Sequence, residues 1–484
     1  MQNHRYSPIS EDSSLTSSLS NDLLQLPSLY KLNPNLIDDH ALPPPDSLFP
    51  ATVSNNPIPP VVPVNSEQFV AIINSVKEAI NNGIYPTRIS KGSSGSYFCY
   101  NMEREIVGVF KPKNEEPYGH LNPKWTKWLH RNLLPCCFGR SCIIPNLGYI
   151  SEAAASYVDR RLGLNIVPRT EIVYLSSPSF HYSFKERWSN RIFGTPVKPK
   201  IGSFQLFLNG FVDSTTVFQE AYSKLSRNSV SSVTEQHPLG WSEAGQQSFQ
   251  LGFERLVILD YFIRNTDRGS DNWMLKTSHN SLTASSSVSS FSDHQHLSQI
   301  NSQSLLIPVT DNGPAVPQQT NIMFDHMRHE NLNNSQFVQI AAIDNGLAFP
   351  THHPNSVRSY PYGWTNLEIV YIPFSRSTSD NLLPYLTSPS WVEGTLGGLE
   401  TLFSIDSDFK PKMWQKQKSV IRGQITNISD ILTRARSEAV SPFNLVKKPL
   451  ILIYEEREET EEGSMGSVRH RLETFTGRTC FTSC

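Results

Sequence analysis

The chain has no run of 18 or more apolar residues, so nothing in it reads as a bilayer span. It carries almost no charge excess, with a formal net charge of -2, and a global basic field for nucleic acid is excluded. Any attraction to an anionic membrane must come from a local patch. The N-terminal Met1-Gln2-Asn3-His4-Arg5 leads into Ser and Asp rather than an apolar core, so no secretory signal is expected there. Gly does not follow Met1 and Phe stands at position 481, which argues against myristoylation and a prenylation box. The six cysteines, Cys99, Cys136, Cys137, Cys142, Cys480 and Cys484, do not space like a zinc site, and a chain of 484 residues needs no disulfide framework. A reducing, cytosolic location is the default. Apolar residues are scarce too, at 38%, so part of the chain is expected to be disordered.

Residues 1–65 are rich in Ser, Asn, Asp and Pro and read as a disordered arm with polyproline character. Asp22-Leu23-Leu24 in that arm matches a sorting dileucine, which would make trafficking adaptors its partners; base composition favours a chance pair. Order is expected from Ser66, where Phe69, Ile72, Ile73, Val76 and Ile80 recur at helical spacing, Ser66 can cap and Gly83 can close the helix. Strand, Gly/Ser turn and strand follow from Ile84 to Tyr100, then a strand at Ile106–Phe110, a helix at Ser151–Gly163, and strands at Val167–Leu175 and Ser203–Leu208. Beyond these, a long apolar helix, Phe249–Arg264, feeds the most informative loop, and short strands follow at Trp273–Lys276 and Phe337–Ile343. About residues 277–336 read as a disordered insertion and 448–484 as a loose, charged tail. The expected fold is α+β and two-lobed, kinase-like, with a β-rich N-lobe (about 66–208) and a mainly helical C-lobe (about 209–447).

In Arg264-Asn265-Thr266-Asp267-Arg268-Gly269-Ser270-Asp271-Asn272, an Asp and an Asn stand four residues apart. A kinase catalytic loop requires this spacing: a carboxylate for the acceptor hydroxyl and an amide oxygen for a metal. Alone the pattern is weak, because chance produces it in many loops. Three further features lie in the right order around it. Ser90-Lys91-Gly92-Ser93-Ser94-Gly95-Ser96 can cradle phosphates with backbone N–H groups and hydroxyls, although it is not a Walker A loop and an ordinary hairpin turn fits it as well. Lys111 ends an apolar strand, where a nucleotide phosphate would be paired, and Glu152 on the following helix is its candidate acidic partner. Asp344-Asn345-Gly346 ends another apolar strand, where a carboxylate would chelate magnesium. Taken singly it would be a type I′ turn; with Lys111, Asp267 and Asn272 in order, the metal reading prevails. Finally, Lys124–Phe138 combines Trp125, Trp128, Lys, Arg and Leu with the pair Cys136-Cys137, a composition suited to a membrane interface and to S-acylation.

Gly92–Phe98, Val109–Gly119, Arg264–Gly269 and Ala342–Pro350 closely resemble the type II phosphatidylinositol 4-kinases, a likeness that runs from about residue 66 to about 447. The resemblance implies transfer of the ATP γ-phosphate to the 4-hydroxyl of phosphatidylinositol in anionic membranes, with Mg2+. It implies that Ser90–Ser96 cover the nucleotide, that Lys111 contacts its phosphates and that Gln205, Leu206, Phe207 and Leu208 form the hinge against adenine. Asp267 would be the catalytic Asp, Asn272 and Asp344 the metal ligands, and Glu116, Pro117 and Tyr118 would place the inositol. Residues 124–138, 211–220 and 357–366 would face the membrane, on the cytosolic side of Golgi, trans-Golgi network, endosomal or plasma membranes. The family's palmitoylated Cys-Cys-Pro-Cys-Cys is replaced here by Leu133-Leu134-Pro135-Cys136-Cys137, so two acceptors are leucines. Two rival functions remain at this stage: a protein kinase, and a membrane-anchored scaffold with a vestigial kinase domain.

Overall fold

A computed structural model describes residues 60–90, 94–116, 142–227, 241–279, 336–354, 362–459 and 465–475. It opens with helix α1 (Ser66–Asn81), capped by Asn65 rather than Ser66: Asn65 Oδ1 accepts from Gln68 N, and Gln68 Oε1 accepts from Asn65 N. Residues 60–65, expected in the arm, are docked instead. Val61 N donates to Asn165 O, and Val62 and Val64 pack against the N-lobe core.

The N-lobe is one antiparallel sheet of β1 (Thr87–Arg88), β2 (Tyr97–Tyr100), β3 (Ile106–Pro112), β4 (Thr170–Leu175) and β5 (Lys200–Leu206), in the order β1-β2-β3-β5-β4. Strand alternation divides its faces. Tyr97, Cys99, Phe110, Phe204 and Leu206 turn toward α1 and bury against Phe69, Ile73 and Val76. At ~1.5–3 kcal/mol for each large side chain buried, this cluster fixes α1 to the back of the sheet. Lys111 therefore points the other way, into the cleft. Helix α2 (Gly148–Leu162) lies against β4 and β5 and joins the larger core, and helix α3 (Phe184–Phe193) is inserted between β4 and β5.

The C-lobe is built on α5 (Glu243–Phe262), preceded by β6 (Val212–Asp213) and α4 (Ser214–Arg227). It starts earlier than the apolar run suggests, because Ser242 caps it through Gly245 N. Strand β7 (Trp273–His279) pairs with β8 (Gln336–Ala342) and with β6. β7 thus runs through 277–279, which the sequence assigned to the insertion: Thr277, Ser278 and His279 are polar but pair with Val338, Phe337 and Gln336. Helices α6 (Arg376–Leu386), α7 (Pro389–Ser404), α8 (Pro411–Arg434) and α9 (Pro442–Val446) complete the lobe.

The expected loose tail is a second correction. Residues 451–459 and 465–474 form an antiparallel hairpin, β9 (Ile451–Glu459) and β10 (Met465–Thr474), laid on α8. Glu455 is met by Lys418 at 2.8 Å and Arg422 at 3.3 Å, one turn apart on α8, while Leu452 is buried. Gly423 makes the docking close: a Cβ there would stand 2.1 Å from Ile451 O. The tail's charges read as solvated only because their partners lie on a distant helix.

Candidate active site

Lys111 Nζ, delivered by β3, contacts Glu152 from α2 and lies 3.0 Å from Asp344 Oδ1, just after β8. Three elements far apart in sequence thus meet at one ammonium. Burial opposes its charge, but Asp344 and Glu152 outweigh that and raise its pKa above the usual lysine range. In return, Lys111 holds Asp344 below the usual carboxylate range. Glu152 is buried, and its other oxygen accepts from Asn345 N at 3.0 Å, so it fixes Lys111 and the backbone after Asp344 together. Asp344 has φ +53°, a left-handed conformation that costs energy and recurs at functional sites.

Of the Gly/Ser turn, Ser90, Ser94, Gly95 and Ser96 are described, while Lys91, Gly92 and Ser93 lie outside the described residues. The turn is held by a residue that the sequence reading passed over. Gly95 N donates to Glu115 O at 2.9 Å, and a Cβ on Gly95 would fall 2.3 Å from Glu115 Oε2, so only glycine fits. Glu115 is fully buried. It accepts from Tyr97 Oη at 2.6 Å, from Lys200 Nζ at 2.7 Å and from His181 N at 3.1 Å. The only signal for it was a carboxylate four residues past Lys111.

Gln205 and Leu206 are strand residues of β5 rather than free hinge. The Gln205 side chain donates to Thr170 Oγ1 at 3.1 Å, and Leu206 N to Arg169 O. Phe207 N donates to Val107 O, and its ring meets Phe98 edge-on at 6.0 Å between centroids. The turn away from the sheet therefore begins at Phe207 and Leu208. A cavity of about 490 Å³ lies beside this hinge, lined by Val62, Ile72, Ile106, Val107, Leu206 and Phe207 among others. None of Lys111, Asp267, Asn272 or Asp344 lines it, so it is not the catalytic cleft.

The loop 264–272 is wound on internal bonds. Asp267 N donates to Asn265 Oδ1 at 2.9 Å, Thr266 N and Oγ1 to Leu347 O, and Asn272 Nδ2 to Asp267 O at 2.6 Å. With its nitrogen so engaged, the Asn272 amide presents its oxygen, the atom a divalent cation takes. Arg268 is the hub. Its Nε donates to both oxygens of Asp260 at 2.9 and 3.0 Å, and its other nitrogens reach Asn272 O, Ile343 O and Asn345 Oδ1. Neither Arg268 nor Asp260 is exposed, and Trp364 Nε1 completes the site on Asp260 at 2.9 Å. One guanidinium thereby ties α5, the catalytic loop and the Asp344 turn into a single unit.

The expected substrate contacts are revised. Glu116 is buried, with one oxygen accepting from Tyr149 N at 2.7 Å and the other from Gly148 N at 3.1 Å. It caps the start of α2, where a carboxylate complements the helix dipole, and does not project toward a substrate. Burial raises its pKa to about 7 against those two bonds. Pro117, Tyr118, Trp125, Trp128, Cys136 and Cys137 lie outside the described residues. Within 211–220, Phe218 packs on Phe249 and Trp273, so that side of α4 faces the core while Val212 is exposed. In 357–366, residues 357–361 lie outside the described residues, and Tyr362 and Trp364 are buried under Asp260, not turned to a membrane. The lobes are also latched across the cleft: Lys113 pairs with Asp406 at 2.8 Å and Asp408 at 3.0 Å, and Tyr149 Oη donates to Asp406 at 2.7 Å.

Asp344 and Asn272 fit a metal that takes few protein ligands and completes its shell with phosphates and water. Among the described residues no cluster of three or more His, Cys, Asp or Glu could hold a metal by itself, and no helix is long and apolar enough to cross a membrane. Comparison with known proteins agrees with this constellation. A family model for phosphatidylinositol 3- and 4-kinase matches residues 92–399. Among curated relatives, phosphatidylinositol 4-kinase type 2-beta of Gallus gallus is 37% identical over 431 residues, covering 85% of this chain and 77% of the relative. The type 2-beta enzyme of Mus musculus is 39% identical over 427 residues (84% and 78%), and the type 2-alpha enzyme of Danio rerio 40% over 403 (80% and 77%).

Proposed function

The chain belongs to the phosphatidylinositol 3- and 4-kinase family and is a phosphatidylinositol 4-kinase, and from that premise we propose how its residues carry the reaction. Asp267 orients the inositol hydroxyl and accepts its proton as the oxygen attacks the γ-phosphorus of ATP in line. The bond from that phosphorus to the bridging oxygen breaks, and ADP leaves. Lys111 offsets the charge of the phosphates, and Glu152 keeps it aimed. Asp344 and the Asn272 oxygen would hold Mg2+, which when bound neutralises charge on the phosphate oxygens. Catalysis is positioning and electrostatics, with no covalent enzyme intermediate. The observation that carries this reading is the meeting of Lys111, Glu152 and Asp344 beside the Arg268-braced catalytic loop.

The substrate is a lipid, so the chain works at a bilayer. We assign it to the cytosolic face of Golgi, trans-Golgi network or endosomal membranes, with extension to the plasma membrane. Trp125 and Trp128 would enter the interface, and acyl chains on Cys136 and Cys137 would add a second anchor. The arm 1–59 would recruit trafficking adaptors. Incubation with labelled ATP, phosphatidylinositol vesicles and a generic protein acceptor tests the reading. Label is expected in the lipid alone; label in the protein acceptor instead would make the chain a protein kinase, and no turnover at all would make it a scaffold.

A further inference from the structure

Helix α3 (Phe184–Phe193) departs from the economy of the rest of the fold: it buries no side chain of its own. Its apolar residues point outward. Phe184 is 75%, Trp188 52% and Ile192 57% exposed. They stand four residues apart, so they form one stripe roughly 80° wide. Lys185 lies about 20° beyond one edge of that stripe and Arg191 about 20° beyond the other, with Arg187 next to Arg191. All three bases are exposed.

The other side carries polar, restrained groups, with exposed Phe193 at its C-terminal end set edge-on against the Trp188 ring at 5.5 Å. Ser183 and Glu186 form a capping box, so the helix's one acidic group is committed to its own N-terminus. Asn190 Nδ2 donates to Thr195 O at 2.7 Å, and Ser189 meets Thr195 at 2.9 Å. Caps and these bonds set the helix without the stripe, and the stripe is left for something outside the described fold. The base of the insertion is rigid: His181 N and Lys200 Nζ both bond Glu115, the residue that also holds Gly95 of the Gly/Ser turn. The two ends of the insertion are therefore tied to the residue that holds the Gly/Ser turn.

We propose that α3 is a lipid-docking element, lying in the plane of an anionic bilayer with Phe184, Trp188 and Ile192 among the headgroups and upper acyl chains. An aromatic-aliphatic stripe flanked on both sides by bases is the pattern an anionic interface selects: rings enter, and the cations remain at phosphate level. The charge complementarity commits the face to lipid over a neutral protein groove. The proposal rests on the lipid-kinase reading only for its sense, which is that a second contact beside the cleft orients the enzyme on its substrate's surface.

The test is sedimentation of the full-length protein with phosphatidylcholine vesicles and with phosphatidylcholine–phosphatidylserine vesicles. Phe184→Gln/Trp188→Gln/Ile192→Gln keeps helix propensity and removes the stripe; its partition onto anionic vesicles is expected to fall about tenfold or more. Lys185→Gln/Arg187→Gln/Arg191→Gln is expected to lose about fivefold per charge on anionic vesicles alone, and ~1 M salt should abolish the difference from wild type. Activity on phosphatidylinositol in detergent micelles should be unchanged in both variants, which reports the fold separately. Wild-type inactivity on micelles would count against the kinase reading, while the vesicle result still decides on the helix. Wild-type vesicle binding in the stripe variant would overturn the proposal. So would an oligomer in the wild type that the stripe variant reduces to monomer without a change in vesicle binding, which would give the face to a second copy of the chain.

Discussion

Replacing Arg268 with Met is the perturbation whose cost the structure states most fully. The guanidinium bonds both oxygens of Asp260 at 2.9 and 3.0 Å, and neither side chain is exposed. Met fills similar volume but leaves a buried carboxylate that keeps the Trp364 N–H and loses its one charged partner of the pair. Breaking a buried pair in this way costs ~3–5 kcal/mol. Loss of the bonds to Asn272 O, Ile343 O and Asn345 acts on the same network and does not add in full. Burial already pushes the Asp260 carboxyl upward against Arg268, so loss of the arginine favours its protonated form further. Asp260→Asn in the same background should then recover part of the loss, with a coupling of ~2–3 kcal/mol in the double-mutant cycle. Urea unfolding followed by tryptophan fluorescence measures the stability, and kcat measures the site. Because Arg268 spaces Asp267 against Asp344, kcat should fall ~100-fold with little change in the ATP KM. Arg268→Met with wild-type stability and wild-type kcat would refute the hub.

Three further outcomes follow from the same geometry. Glu116 has a folded pKa of about 7 against an ordinary 4.5, because burial favours its protonated form; its contribution to stability is whole below pH 4.5 and lost by about pH 7, at most ~3 kcal/mol. Asp159, also raised to about 7 by burial, acts in the same direction, so Glu116→Gln should flatten part of the fall in stability between pH 4.5 and 7, not all of it, in denaturation series across pH. Gly423→Ala puts a Cβ against Ile451 O and should cost ~1–3 kcal/mol, released chiefly as undocking of β9–β10, which limited proteolysis would detect as early cleavage after residue 448. Glu115→Gln keeps the main-chain bond from Gly95 N but removes the buried charge that Lys200 and Tyr97 meet beneath the turn, so the ATP KM should rise ~10-fold with a smaller change in kcat.

Much of this was legible because lobe-forming patterns and catalytic residue types are local. The Lys111 strand, the Ser151–Leu162 part of α2 and the Asp267–Asn272 loop each stand in a short window of sequence. Glu152 was found as the acidic partner because it lies on the helix that follows the Lys111 strand. What local pattern could not supply was partnership across distance. Glu116 was read as a substrate residue from the resemblance alone, yet its oxygens are taken by amides 32 and 33 residues on. Residues 451–474 looked solvated because Lys418 and Arg422, which meet Glu455, belong to another element. The segment 357–366 was placed at a membrane by the resemblance, and the structure instead commits the Trp364 N–H to buried Asp260. Arg268 was read as part of a motif, and its role as a brace depends on Asp260, 8 residues away, and on Ile343 and Asn345, 75 and 77 residues away.

The central claim is that Asp267 takes the proton of an inositol hydroxyl, and one measurement addresses it directly: labelled ATP and phosphatidylinositol vesicles with wild type and Asp267→Ala, the product deacylated and its positional isomers separated. Wild type should give phosphatidylinositol 4-phosphate. The variant should fall at least ~1,000-fold in kcat while it sediments with vesicles and binds ATP as the wild type does. Undiminished turnover in Asp267→Ala, or label at another ring position in the wild type, would contradict the account.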